Sequence, residues 1–419
     1  MSDSSLSFCM VTTFFPPHHF GGDAMYVYRL SNELASRGHR VHVVYSPDAH
    51  RLLGGQVTAS PALHENVLVR PLESRLGSVG PLVTYLSGRP ALRARSLRRL
   101  LEGTSFDVIH FHNVSLVGGP GVLAYGDAVK LYTTHEHWLV CPMHVLWRND
   151  REPCEEPKCL RCTLAFGRPP QLWRYGRLLE RQTRHVDLFL APSQFAIRMH
   201  HARGFDRPIR QLPLFVPRNA AGDAPAAPPL DRPYFLVVGR LEKMKGVQTL
   251  IRLFTHYDAA DLVIVGEGTY AAELRRQAQG LGHVHFLGHV PFDRLAVLYR
   301  EAVAVVVPSI GYETFGLTVI EGFAQRTPAI VRDLGALPEA IEASGGGFIF
   351  RSDAELVQAL EALRTDPARR SRVGERGYAA YLARWSEDPH LRAYLGLVDA
   401  LLVSRRGGSS TRSPVSADL

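Results

Sequence analysis

Short apolar runs alternate with amphipathic stretches along most of the chain. Leu6–Thr13 is an apolar run of strand length. A loop follows it, FFPPHHFGG at 14–22. Asp23–Arg37 then carries Val27, Leu30 and Leu34 at helical spacing, with Gly38 as a stop. Val41–Tyr45 predicts the next strand, and strand–helix–strand order implies parallel pairing. Val108–Phe111 and Val129–Thr134 predict further strands. Before them Leu92, Leu97, Leu100 and Leu101 sit among Arg93, Arg95, Arg98 and Arg99. That is a basic amphipathic helix, ordinarily a solvated face over a core and in fewer cases a membrane contact.

The rhythm stops at 217–233 (PRNAAGDAPAAPPLDRP), a Pro- and Ala-rich stretch without periodicity that reads as a linker. It then restarts. Tyr234–Val238, Leu262–Val265, Val284–Leu287, Val303–Val307 and Ala329–Val331 predict strands, with helical patterns such as Val247–Tyr257 between them. The fold class is therefore α/β, two doubly wound parallel sheets of Rossmann type, 1–216 and 234–384, facing a cleft. Ligands of such sheets bind at the carboxyl ends of the strands. A helix at 385–403 and a Ser-, Gly- and Arg-rich tail at 404–419, expected to be disordered, complete the chain.

At 419 residues the chain has room for two or three domains, and 46% hydrophobic with 21% charged residues excludes wholesale disorder. No apolar run reaches the roughly 18 residues of a membrane-spanning helix. Leu6–Phe15 lacks a basic flank and does not read as a signal peptide, so a cytoplasmic protein is expected, with peripheral membrane contact left open. The net charge of +8 lies wholly in residues 1–216, which hold 25 basic and 17 acidic residues. Such an excess suits an anionic acceptor or a membrane surface, or reflects only the bias that makes 44 of the 48 basic residues Arg.

Five stretches could carry chemistry. In PSIGYETFGLTVIEGFA (308–324) a strand end leads through a loop to a helix starting near Gly316. The free amides of Phe315, Gly316 and Leu317 would form an anion site there. Glu313 and Glu321 lie roughly 10 Å apart on helical geometry, too far for one carboxylate pair. They could hold the two ends of an elongated ligand with an anionic middle, which is the shape of a nucleotide sugar. Otherwise one acid stabilises the helix dipole and the other is solvated. In GRLEKMKG (239–246) Arg240 and Lys245 could clamp a diphosphate, and this stretch holds two of the four lysines. Gly266, in G-E-G after the next strand, is a weak signal that usually marks a tight turn. Gly21 and Gly22 open a helix where backbone can approach phosphates. His135, at the end of a strand, could act as a base or an electrostatic partner, or be structural.

Together these pieces resemble the family 4 (group 1) glycosyltransferases, retaining enzymes of the GT-B fold. The resemblance runs from about Leu6 to Ala383. It is carried by FFPPHHFGGDAMYVYRLSNELASRGHRVHVV, DVIHFHN (107–113), APS (191–193), VVGRLEKMKG (237–246), IVGEG (264–268), FLGHV (286–290), the Glu313/Glu321 spacing and GALPE (335–339). It implies that Arg240 and Lys245 bind the donor diphosphate and stabilise the leaving nucleotide. Glu313 would bind hydroxyls of the donor sugar, Glu321 the ribose, and the amides of Phe315, Gly316 and Leu317 the sugar and phosphates. Gly21 and Gly22 would close over the diphosphate, and His135 would face the donor sugar. It also implies a nucleotide-sugar donor, most readily a UDP-sugar, and a glycan, lipid-linked or small-molecule acceptor. No nucleic-acid partner and no divalent metal in catalysis are implied, and Trp385–Val403 would cross back onto the first domain.

Cys141, Cys154, Cys159 and Cys162 form a C-x12-C-x4-C-x2-C insert. A structural Zn²⁺ site, less readily an iron–sulfur cluster, competes with four free thiols. Cys9, in the first strand, reads as core. Rival functions are a nucleotide-sugar epimerase, a phosphorylase of the same fold, or an inactive scaffold subunit.

Overall fold

The computed structural model describes residues 5–57, 61–218 and 232–407. The first half contributes β1 (Ser7–Val11), β2 (Arg40–Tyr45), β3 (Val67–Pro71), β4 (Val108–Phe111) and β5 (Val129–Thr133). A short antiparallel hairpin, β6 (Trp147–Arg148) and β7 (Glu152–Pro153), lies in the Cys-rich insert. β8 (Leu188–Ala191) and β9 (Ile209–Gln211) complete this half. The second half contributes β10 (Tyr234–Val238), β11 (Asp261–Val265), β12 (Val284–Gly288), β13 (Ala304–Val307), β14 (Ala329–Arg332) and β15 (Gly347–Phe350).

Apart from the hairpin, all strands lie in two sheets, ordered β3-β2-β1-β4-β5-β8-β9 and β12-β11-β10-β13-β14-β15, with every pairing parallel. Helices cover both faces, so β1, β4 and β5 are buried at every position rather than alternating, His110 of β4 and Lys130 of β5 included. β1, SFCMV, is buried at every position, Cys9 included. β3, β8, β9 and β15 were not marked by the hydrophobic pattern. β3 and β9 lie at the edge of their sheet and are largely polar or exposed.

The last helix, Glu387–Gly407, packs on β5 and on the helix Gly22–Ser36 of the first half. It runs past residue 403, where the expected tail would begin. Tyr394 on this helix reaches His110 Nδ1 at 3.1 Å, and His390 bridges Tyr26 Oη at 3.0 Å and the Pro213 carbonyl at 2.8 Å. One apolar cluster passes through both halves by way of Phe215, Trp385, Leu391 and Tyr394. Of the expected linker and tail, residues 219–231 and 408–419 lie outside the described residues. Among the described residues no helix is long and apolar enough to cross a membrane.

Candidate active site

The carboxyl ends of β10 and β13 face the other half of the molecule, and the loops that leave them interlock. Met244 accepts hydrogen bonds from the Ile310 and Gly311 amides, both at 2.9 Å. Gly246 sits at φ +73°, and a Cβ there would lie 2.1 Å from the Pro308 carbonyl oxygen. Only glycine lets the two loops approach this closely. Gly266 does the same for the neighbouring strand end, where a Cβ would meet the Gly239 carbonyl oxygen at 1.9 Å.

This closeness brings Lys245 to Glu313. The ammonium donates to Glu313 Oε1 at 2.7 Å, and Ser309 Oγ donates to the same oxygen at 2.6 Å. Burial works to raise the Glu313 carboxyl. Lys245, with Ser309 and Arg240, more than offsets it and holds the group below its ordinary value. Arg240, Lys245 and Glu313 therefore share one electrostatic site. Behind it, Ala336 donates to the Glu313 carbonyl at 3.1 Å, which ties the GALPE turn to this loop.

Gly316, at φ +94°, precedes the helix Leu317–Ala324, and no side chain caps that helix start. Among the described residues the Phe315, Gly316 and Leu317 amides make no hydrogen bond. They stay free to meet an anion. The first half closes against this point. Gly21 precedes the helix Gly22–Ser36, and a Cβ on Gly22 would lie 2.8 Å from Leu317 Cδ1. Thr314 Oγ1 donates to the His135 carbonyl at 2.8 Å, and Ser193 Oγ donates to the Thr314 carbonyl at 2.7 Å.

His135 follows β5 and is buried against Tyr26, with ring centroids 5.1 Å apart. Burial, only partly countered by Asp23, pushes its imidazole down to about 4. At neutral pH it is a hydrogen-bonding group rather than a cation. Its Nε2 meets His112 Nδ1 at 3.0 Å, while its Nδ1 is buried without a hydrogen-bond partner among the described residues. His112 itself is held well below its ordinary value by burial and by His110 and His135.

Glu321 is engaged from both halves. Arg29, on the first helix, donates to Oε1 at 3.1 Å, and Tyr299 Oη donates to Oε2 at 3.0 Å. Every residue expected at the site except the four cysteines thus falls on the facing strand ends or the loops and helix that leave them. Reading the sequence did not single out Arg29, His112, Ser309, Ser193 or Tyr299. Arg29, His112, Ser193 and Ser309 lie inside stretches that were noticed, whereas nothing local marks Tyr299.

The four cysteines lie in the insert that follows β5. Cys141, Cys154 and Cys162 share one buried apolar cluster, and Cys159 is half-buried. Among the described residues no group of three or more His, Cys, Asp or Glu side chains converges as a metal ion requires. No disulfide joins the four among the described residues, and burial pushes the Cys141 thiol up to about 11. The Leu146 and Met143 amides work to lower the Cys141 thiol against that burial, and Arg203 donates to the Cys154 carbonyl. The insert instead reaches the facing loops. Trp147 packs on Gly311, and Lys243 donates to the Asp150 carbonyl at 3.1 Å.

Two family models match the chain. Glycosyltransferase Family 4 covers residues 20–219, and Glycosyl transferases group 1 covers 223–380. Among curated proteins, D-inositol 3-phosphate glycosyltransferase of Acidothermus cellulolyticus is 29% identical, covering 94% of this chain and 88% of that protein. Glycogen synthase of Mycobacterium tuberculosis is 28% identical over 86% of each. Among solved structures, sucrose-phosphate synthase from Thermosynechococcus elongatus superposes with a TM-score of 0.72 at 20% identity, covering 95% of this chain and all of that one. Anabaena Alr3699/HepE in complex with UDP and glucose gives 0.65 at 16%, covering 94% and 100%. These likenesses establish the two-sheet GT-B fold.

Proposed function

Since the chain belongs to the family 4 (group 1) glycosyltransferases, and so is a glycosyltransferase, we propose that it moves a sugar from a UDP-sugar to an acceptor hydroxyl with retention of anomeric configuration. The observation that carries this is the Lys245–Glu313 pair set beside an uncapped helix start, with Gly22 closing on it from the other half. One cation, one carboxylate and three free amides within a single loop junction suit a sugar joined to a diphosphate.

In this reading Arg240 and Lys245 neutralise the diphosphate as it leaves, and the 315–317 amides add partial positive charge without reorganisation. Glu313 orients the donor sugar by accepting from its hydroxyls, and Glu321 accepts from the ribose. The bond between the sugar's anomeric carbon and the diphosphate oxygen breaks, and a bond to the acceptor oxygen forms on the same face. The acceptor's proton passes to the departing phosphate oxygen. His135, neutral at pH 7, contributes a hydrogen bond at the sugar. Closure of Gly21 and Gly22 over the diphosphate excludes water. This scheme routes no step through a metal.

The acceptor is a glycan, a lipid-linked sugar or a small metabolite. The excess of positive charge in residues 1–216 favours an anionic or membrane-bound one. The test is nucleotide release from UDP-, GDP-, ADP- and dTDP-sugars, with the melting shift that each nucleotide gives. Release from UDP-sugars alone, lost in Glu313→Ala, is expected. A shift with UDP but no release, even with acceptor mixtures supplied, would favour the scaffold reading. Interconversion of the donor sugar without transfer would favour an epimerase.

A further inference from the structure

The helix Val79–Ser87 has two unlike faces. Its inner face is buried at Gly80, Pro81, Thr84 and Tyr85. Tyr85 packs there with Phe14, Ala24 and Phe20, within and beside the loop that ends at Gly21–Gly22. Its outer face should be polar if it met only water. Instead Val79, Leu82 and Leu86 recur at i, i+3 and i+7, preceded by Leu76, and all four are between 39 and 58% exposed. The adjoining turn Leu172–Tyr175 extends the apolar surface with exposed Leu172 and Tyr175, and Trp173 fixes that turn to the helix by donating to the Tyr85 carbonyl at 2.9 Å.

The charge around this ridge is predominantly positive. Residues 74–101 contain six Arg and residues 165–179 three, with Glu73, Glu102 and Glu180 at the borders of these stretches. Arg93, Arg98 and Arg177 are paired with Asp48, Glu102 and Glu180. Arg75 and Arg89 flank the helix, are exposed, and form no ion pair among the described residues. A second copy of the chain would bring the same arginines face to face, which opposes self-association through this surface. An anionic bilayer offers both an apolar layer and complementary charge.

We infer that the outer face of Val79–Ser87, with the turn Leu172–Tyr175, docks on an anionic membrane surface. The leucines enter the boundary between headgroups and acyl chains, and the arginines meet lipid phosphates. Because the inner face of the helix packs on the loop leading to Gly21–Gly22, docking sets the mouth of the cleft at the membrane. The docking does not rest on the transferase reading and is measured apart from it.

The experiment is flotation of the full chain with vesicles of phosphatidylcholine, with and without phosphatidylglycerol. Binding is expected only to the anionic vesicles, and it should weaken with salt. Leu82→Glu with Leu86→Glu should lower binding by about tenfold or more, with an unchanged melting temperature. Arg75→Ser and Arg89→Ser should each cost about fivefold. Equal binding to both vesicle types, or no loss in either set of variants, overturns the inference. So does a wild-type dimer that the leucine variant makes monomeric while vesicle binding is unchanged. UDP-induced melting shifts should be the same in all variants, which keeps this outcome separate from that of the active site.

Discussion

Replacing Lys245 with Met leaves Glu313 as a buried carboxylate without its cation. In the wild type the pair is joined at 2.7 Å, with 30% of the Lys and 16% of the Glu side chain exposed. Breaking a fully buried pair costs roughly 3–5 kcal/mol, and partial exposure discounts that to about 2 kcal/mol. For a domain of this size, that lowers the melting temperature by roughly 4–8 °C at pH 7. The pH dependence distinguishes this cause from a packing defect. Glu313 is held below its ordinary value, so its wild-type stabilisation is present above about pH 4.3 and is lost only as pH falls through the lower folded value. In Lys245→Met burial is opposed only by Ser309 and Arg240, and the carboxyl rises above its wild-type value. Protonation then relieves the variant before it harms the wild type. The gap in melting temperature should therefore narrow as pH is lowered from 7 towards 4. UDP affinity should fall between tenfold and a hundredfold, the worth of one charged hydrogen bond. A gap that stays constant with pH, or unchanged UDP affinity, refutes the reasoning.

Gly22→Val would drive a side chain into Leu317 and hold the halves apart. Turnover should drop about a hundredfold while UDP still binds, as measured by calorimetry beside steady-state rates. His112→Phe should lower kcat about tenfold through misplaced His135, with the donor KM and the melting temperature nearly unchanged; equal changes in kcat and KM would show that His112 acts otherwise. Arg29→Ala removes the cross-cleft partner of Glu321 and should weaken UDP binding about tenfold, and unaltered affinity would detach Arg29 from the site. His135, His200 and His390 are each pushed down to about 4 by burial, so the unfolded chain takes up protons first. Stability should be full above about pH 6.5 and decline steadily towards pH 4, and a flat melting temperature across that window would refute neutral burial.

The strands that reasoning from pattern could find are those buried on both faces. β1, β10 and β11 read as apolar runs, broken only by Ser7 and Asp261 at their first positions, because helices cover both sides of each sheet. β3 (VLVRP) and β9 (IRQ) are edge strands with exposed polar positions, and nothing in three to five residues separates them from loop. Site residues were legible where chemistry and position coincided, as for Lys245 among only four lysines or Glu313 before a glycine-led helix start. Arg29 and Tyr299 were not legible, because each acts through a partner 292 and 22 residues away and looks locally like any helix residue. The cysteines show the opposite case. Their spacing suggests a tetrad, but among the described residues no three such side chains converge.

The two carboxylates differ in what a donor must do to reach them. Glu313 Oε1 already accepts from Lys245 and Ser309. A diphosphate would draw on the same ammonium, so it competes with Glu313 for Lys245, while sugar hydroxyls can replace what Glu313 gives up. Glu321 spends one oxygen on Arg29 and the other on Tyr299, but a carboxylate has about four acceptor sites. A ribose can donate to those that remain without displacing either partner. Arg29 belongs to the half that also carries Gly22, and Glu321 to the half that carries Lys245. In the proposed reaction, ribose binding at Glu321 would be strongest when Arg29 is in place. The closed cleft would then favour the donor, and the donor would favour closure by the same factor.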